Sequence, residues 1–142
     1  MNTLKNYQSI KNLTEDSEQL RVIESFSALE SKLSSSKKTT FLNNLLKKQK
    51  KLKGIYLWGS VGRGKTFIMD TFFSSLVFKE KIRLHYHHLM RKVHKDLKTH
   101  KNKKNPIRLI TKSISKGAKV ICIDEFFVED IADAMILSEL LA

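Results

Sequence analysis

The sequence predicts an α/β fold built on a parallel sheet, and three observations carry that expectation. From residue 54 onward, short apolar runs alternate with segments of helical periodicity; a glycine-rich octet joins one such run to a helix; another run ends in two adjacent carboxylates. Parallel strands need a crossover connection, commonly a helix. Strict strand–helix alternation therefore reads as a parallel sheet covered on both faces.

Asp16, with Gln19 three residues on, predicts a helix N-cap and its N3 partner. Val22, Phe26, Leu29 and Leu33 then recur at i, i+4, i+7 and i+11, which is one helical face. Ser34, Ser35 and Ser36 read as a connector. A strongly basic helix is predicted from Thr40 to Leu52, with Phe41, Leu42, Leu45 and Leu46 as its apolar residues and Gly54 as its stop. Ile55 to Trp58 is a predicted strand. Lys65 to Phe78 reads as a helix with Met69, Phe72, Phe73 and Leu76 on one face. Ile82 to Tyr86 is a second strand, and His88 to Leu97 a helix with Met90, Val93, His94 and Leu97 on one face. After a basic loop from Lys98 to Asn105, Pro106 opens a helix that Gly117 closes. Val120 to Ile123 is a third strand, and Val128, Ile131, Ala132 and Met135 mark a last helix. The expected organisation is an N-terminal helical segment, 1–53, followed by a phosphate-loop core, 54–142.

Composition narrows the class. Hydrophobic residues are 41% and charged residues 29% of 142, enough apolar content for a packed core. One cysteine, Cys122, excludes a disulfide framework and fits a reducing compartment. The longest mostly apolar stretch, Phe67 to Phe78, is too short to span a bilayer, and the first residues lack the apolar centre of a signal peptide. Early acidic residues and scarce arginine disfavour a transit peptide, so a soluble intracellular protein is expected. The net charge of +13 is uneven: residues 37–119 hold 23 basic and 3 acidic side chains, whereas 120–142 hold none and 6. Lys47 to Lys53 and Arg91 to Lys104 are the densest runs. A nucleic-acid or acidic-membrane footprint is one reading. With only five arginines, bidentate phosphate or base recognition is disfavoured, and a solvated lysine-rich surface is the simpler reading.

Gly59-Ser60-Val61-Gly62-Arg63-Gly64-Lys65-Thr66 fits G-x-x-x-x-G-K-[ST]. Glycines let successive backbone N–H groups curl around an anion without Cβ clashes, and the following helix adds the positive end of its dipole. Lys65 reaches β- and γ-phosphates as a point charge, and the Thr66 hydroxyl ligates Mg²⁺. Three of the chain's five glycines fall in this octet, between a predicted strand and a predicted helix.

Asp124 and Glu125 end the third strand, 59 residues after Lys65. Asp124 is the candidate Mg²⁺ ligand through water, and Glu125 the candidate base for the water that attacks the γ-phosphate. An Asp-Glu pair favours hydrolysis over transfer to a metabolite. Cys122, mid-strand, reads as a small buried hydrophobe. His85, His87, His88, His94 and His100 lie within 16 residues, but no cysteine or carboxylate cluster accompanies them as in zinc sites, and satisfied, partly buried histidines suffice.

These residues resemble a known family, the ZapE-type AAA+ cell-division ATPases and their mitochondrial AFG-like relatives. The resemblance rests on Gly54 to Asp70 (GIYLWGSVGRGKTFIMD), Arg83 to His94 (RLHYHHLMRKVH) and Asp124 to Leu137 (DEFFVEDIADAMIL), and Asp16-x-x-Gln19 is similar too. The family has Thr where this chain has Glu129. What the resemblance implies is a three-layer AAA+ sandwich, ATP and Mg²⁺ as cofactors, and hydrolysis by ring-shaped homo-oligomers. Implied clients are the division protein FtsZ for bacterial members and inner-membrane proteins for mitochondrial ones. By position, Lys65 and Glu125 are the implied catalytic residues, Gly59 to Thr66 the nucleotide cradle, and Thr66 and Asp124 the metal ligands.

Family members are more than twice as long, so the chain reads as an N-terminal fragment of the fold. The strand that would sit between Ile55–Trp58 and Val120–Ile123 is implied to lie beyond residue 142, and its lack is expected to be costly. Weak nucleotide binding and poor turnover are expected of these residues alone, with the arginine finger outside them. A bacterial cytoplasm is favoured over a mitochondrial matrix. Nucleic acid is disfavoured as a partner, and peripheral membrane contact stays open. Two other readings compete: a nucleic-acid-remodelling ATPase of the helicase-loader kind, and a truncated, non-catalytic binding module.

Overall fold

The computed structural model describes residues 2–10, 16–35 and 52–141. They fall into two compact units, Met1–Lys79 and Glu80–Ala142.

Among the described residues the first unit packs three helices: α1 (Asn2–Gln8), α2 (Ser17–Ser35) and α3 (Lys65–Ser75). Asp16 caps α2 as its sequence predicts, its Oδ1 accepting the Glu18 N–H at 2.9 Å. The buried face of α2 is Ile23, Phe26, Ser27, Glu30 and Leu33, centred one residue beyond the predicted stripe. Ser34 and Ser35, expected as connector, continue the helix. Phe26 meets Phe72 of α3 with ring centroids 4.8 Å apart in a tilted arrangement. Helix α3 stops at Ser75, three residues short of the expected end, and buries Ile68, Thr71, Phe72 and Ser75. Met69 and Phe73, expected at the centre of its face, are half-buried at the flank. The predicted basic helix over residues 40–52 lies almost wholly outside the described residues; Leu52, its last residue, is not helical.

Helix α1 was not legible in the sequence, because a buried polar contact holds it as much as apolar burial does. The Glu30 carboxylate accepts the Asn2 and Thr3 N–H groups and the Thr3 hydroxyl, at 2.9–3.0 Å, and so satisfies the otherwise unbonded first turn of α1. The Thr3 hydroxyl also bonds Ser75 Oγ on α3. One carboxylate on α2 thus ties all three helices together.

The second unit holds β1 (Lys81–His85), α4 (Tyr86–Thr99), α5 (Pro106–Ser115), β2 (Val120–Asp124) and α6 (Ile131–Leu141). The strands pair in parallel, Lys81 opposite Val120 through to His85 opposite Asp124. Leu89, Val93, Ile110 and Ile114 form a core on which Leu84, Ile121 and Ile123 of the strands and Ile136 and Leu140 of α6 pack. Both β strands and all three helices fall where alternation places them, to within a few residues, and Cys122 is buried as expected. Two faces differ from expectation. His94 is exposed, while Leu89 takes the buried place beside Val93. In α6, Ile131 and Met135 are 81% and 68% exposed and the buried residue is Leu137. The run Ile131–Leu141 is apolar nearly all round, so its periodicity could not orient it.

The predicted strand Ile55–Trp58 is not a strand. Residues 52–60 have no regular secondary structure, and the sheet among the described residues has two strands, β1 and β2. A strand exists through its ladder, and apolar side chains alone do not supply one. Tyr56 and Trp58 are 68% and 80% exposed. No helix among the described residues is long and apolar enough to cross a membrane.

Burial by itself pushes the Glu30 carboxyl up, but hydrogen bonds from Thr3 and Asn2 bring it below the ordinary carboxylate range. With the folded-state value depressed, its stabilisation is complete above the unfolded-state value near ~4.3 and is lost as pH falls through the folded-state value. Glu30→Gln is therefore expected to cost about 1–3 kcal/mol at pH 7, with the gap from the parent closing below about pH 4 in urea titrations.

Candidate functional site

The glycine-rich octet occupies the bend before α3. Gly59, Gly62 and Gly64 have φ of 149°, 82° and 74°, values that a side chain would strain, so the loop's curl depends on these three positions. Gly64 precedes α3 directly, and its carbonyl accepts the Ile68 N–H at 2.9 Å, the first turn of the helix. The first-turn N–H groups and the dipole of α3 direct their positive end at the loop. Val61, 98% exposed, marks the loop's tip.

Lys65 folds back over the loop. Its Nζ donates to the Gly59 carbonyl at 2.9 Å and the Ser60 carbonyl at 2.7 Å, so the ammonium sits at the mouth of the curl. Thr66 follows on the first turn of α3 with its side chain exposed. Arg63 turns instead to the start of α2, where its Nη2 bonds Glu18 Oε2 at 2.6 Å and lies 3.7 Å from Asp16 Oδ2. All eight predicted loop residues are therefore contiguous at one helix N-terminus.

Gln19 does not close a capping box. Its Oε1 accepts the Tyr7 hydroxyl at 2.8 Å and its Nε2 donates to the Arg63 carbonyl at 3.3 Å, a bond spanning 44 residues. A Cβ on Gly64 would stand 3.1 Å from the same Nε2. Helix α2 thus lies hard against the loop, leaving an open cleft of about 500 Å³ whose walls include Gln19, Val22, Leu57, Trp58, Lys65 and Ile68. Its lining joins apolar Val22, Leu57, Trp58 and Ile68 to the charged side chains of Asp16, Glu18, Arg63 and Lys65. Tyr7 and Glu18 escaped the sequence reading; Asp16-x-x-Gln19 was the one signal there.

Asp124 and Glu125 lie in the second unit, at the C-terminal end of β2. Asp124 Oδ2 is 3.0 Å from Arg83 Nη2, and Asp124 Oδ1 accepts the Glu125 N–H at 3.0 Å. The Asp124 side chain is 12% exposed and that of Glu125 69%. Glu125 adopts φ 52°, a left-handed conformation uncommon for a side chain of its length, which ends the strand. Its Oε2 is 4.0 Å from Nδ1 of His85, which the parallel register sets opposite Asp124. Arg83 and His85 were missed as site neighbours because only the strand register brings them there.

The rings of His85, His87 and His88 lie 4.0–6.1 Å apart. The His87 charge, then burial, then Arg91 and His85, hold His88 below the ordinary histidine value. His94 Nε2 bonds Asp133 Oδ1 at 2.7 Å. Among the described residues no group of three or more His, Cys, Asp or Glu side chains is placed to hold a metal ion. The hydroxyl of Thr66 and the carboxylate of Asp124 are hard oxygen donors of the kind Mg²⁺ takes, and Asp124 already carries a cation, Arg83, at one oxygen.

A glycine curl, a lysine over it and a helix behind it form the arrangement that the sequence pattern of residues 59–66 predicts. Comparison with known families gives the narrower assignment: the chain belongs to the AFG1-like ATPases, whose family model matches residues 3–142. It is 44% identical over 90 residues to cell division protein ZapE of Escherichia coli K12, covering 63% of this chain and 24% of that protein. Similarity extends to lactation elevated protein 1 homolog B of Danio rerio, 39% over 101 residues, covering 62% of this chain and 20% of that one. An uncharacterized protein of Schizosaccharomyces pombe, C115.02c, is 38% identical over 115 residues, covering 77% and 25%. The chain spans a quarter or less of the length of these relatives. No solved structure matches it.

Two glycine substitutions separate strain from simple loss of freedom. Gly64→Ala is expected to destabilise the first unit by about 1–3 kcal/mol, because it forces a side chain into a left-handed φ and against Gln19. Gly54→Ala, with open space and no such φ, should lie within about 0.5 kcal/mol of the parent in the same urea titrations.

Proposed function

We propose that this chain supplies the nucleotide-binding part of a Mg²⁺-dependent ATP hydrolase of the ZapE-like AAA+ type. The observation that carries the reading is the geometry of Lys65, an ammonium bonded to two carbonyls at the mouth of a glycine loop that opens a helix. The family match over residues 3–142 supports it.

In this reading the β- and γ-phosphates take the place of the Gly59 and Ser60 carbonyls as partners of Lys65, and the loop N–H groups from Gly59 to Thr66 hold the phosphate oxygens. The cleft beside Trp58 and Val22 receives the base and sugar. Thr66 and Asp124 would hold Mg²⁺, which would neutralise charge on the phosphates. Glu125 accepts a proton from the attacking water. Its exposed carboxylate lies beside His85, and the Glu125 N–H holds Asp124 in orientation. Assembly of the phosphate loop with the Asp-Glu pair in one three-layer sandwich, and of protomers in a ring, completes the site in the whole protein. The division into a helical segment, 1–53, and an ATPase core, 54–142, belongs to the same proposal. So do a bacterial cytoplasmic location and a cell-division or membrane-associated client; the Escherichia coli relative is named a cell division protein.

The test measures Mg·ATP binding and turnover by this chain alone and mixed with a polypeptide that supplies the remaining length of the ZapE-like relatives. Binding by the chain, with turnover only in the mixture, is the expected result. Lys65→Ala should weaken ATP binding about tenfold or more through loss of a charge-assisted contact. Glu125→Gln should keep binding and lower turnover by about 10²–10⁴. Absence of nucleotide binding in both preparations overturns the reading.

A further inference from the structure

The second unit carries a charged surface that the nucleotide chemistry does not use. Residues 91–116 contain ten basic side chains and one acidic, Asp96. The structure sorts them by face. Helix α4 buries Leu89, Met90 and Val93, and its opposite side presents Arg91, Lys95 and Lys98, at i, i+4 and i+7. Helix α5 buries Ile110 and Ile114 and presents Arg108 and Lys112, at i and i+4. The turn between the helices exposes Lys101, Lys103 and Lys104.

Both helices direct their apolar sides into one cluster with Leu84, Ile121 and Ile123, so the cationic sides face away from that shared core. Lys92 pairs with Asp96 and Lys119 with Glu80. Among the described residues none of the other basic side chains of α4, the turn and α5 has a carboxylate partner. Concentrated like charge without local compensation raises the energy of the isolated fold and is offset when a polyanion approaches.

We propose that the outward faces of α4 and α5, with the turn joining them, form a docking surface for an anionic lipid bilayer. Three observations choose the bilayer over nucleic acid. Eight of the ten cations are lysines, compact charges suited to a diffuse negative surface, and two are the arginines that would read phosphates bidentately. Residues 91–116 contain no Phe, Tyr or Trp on which a base could stack. Leu109 follows Arg108 in α5 and is 43% exposed, an apolar side chain that gains by entering the interfacial layer of a membrane. The surface is independent of the ATPase reading and stands or falls separately.

The experiment is co-sedimentation of the 142-residue chain with phosphatidylcholine vesicles, with and without phosphatidylglycerol. Binding only to vesicles containing phosphatidylglycerol, lost at high salt, is expected. The triple variant Lys95→Glu/Lys98→Glu/Lys112→Glu should bind them at least about tenfold more weakly, and the milder Lys→Gln triple should follow the same direction. Leu109→Asn should weaken binding about threefold or more while leaving the salt dependence intact. Circular dichroism confirms that each variant keeps its helices. Equal binding to uncharged vesicles overturns the proposal. So does unchanged binding by both triples, which would place the contact in the Lys47–Lys53 run. Failure to bind any vesicle, together with salt-dependent DNA binding that the triples abolish, overturns it in favour of a nucleic-acid track.

Discussion

The first unit depends on Gln19. Its amide joins Tyr7 on α1, the Arg63 carbonyl in the loop and, by close approach, Gly64. Apart from the Lys65 ammonium on the Gly59 and Ser60 carbonyls, the loop's curl is made from glycines whose conformations are accessible but not enforced. A partner from outside must select one arrangement. Gln19 does this with both ends of one amide, and so couples the entry of α3 to the N-terminal helices. Glu30, about one turn beyond Phe26 in chain order, fastens α1 from the other side, so that α1 and the loop are anchored by side chains of a single helix, α2.

The second unit rests on register. Parallel pairing sets His85 opposite Asp124, and a shift of one residue would send every side chain to the other face. The register is pinned by the apolar members Leu84, Ile121 and Ile123, which meet α4 and α5. The polar members follow as a consequence: Arg83 reaches Asp124, and His85 comes within 4.0 Å of Glu125. Core packing on one side of the strands therefore determines which charges meet at their C-terminal ends.

Much of this was legible in local patterns. The octet Gly59–Thr66, the strand ends at Asp124, and the Pro106 start of α5 all express short-range chemistry, and the structure places each where the pattern does. What was lost depends on distance along the chain. The Gln19 bond crosses 44 residues, the Arg83–Asp124 pair 41, and neither leaves a periodicity to read. Ile55–Trp58 has a strand's composition without a ladder among the described residues, and Ile131–Leu141 has too uniform an apolar surface to reveal its buried side. Helix α1 is short and held partly through Thr3 and Glu30, polar residues that hydropathy patterns pass over.

The position of Lys65 has a consequence for how any affinity at this loop is to be understood. The ammonium is already solvated by two backbone carbonyls, so an incoming anion does not fill a void but completes an exchange of partners. Only the difference between the old contacts and the new ones appears in the equilibrium constant. A weak constant for a small anion is thus compatible with strong individual contacts, and a ligand that also covers Val22 and Trp58 adds apolar burial to the exchange. In the proposed reading, a ligand that meets Lys65 alone gains less than one that also covers Val22 and Trp58.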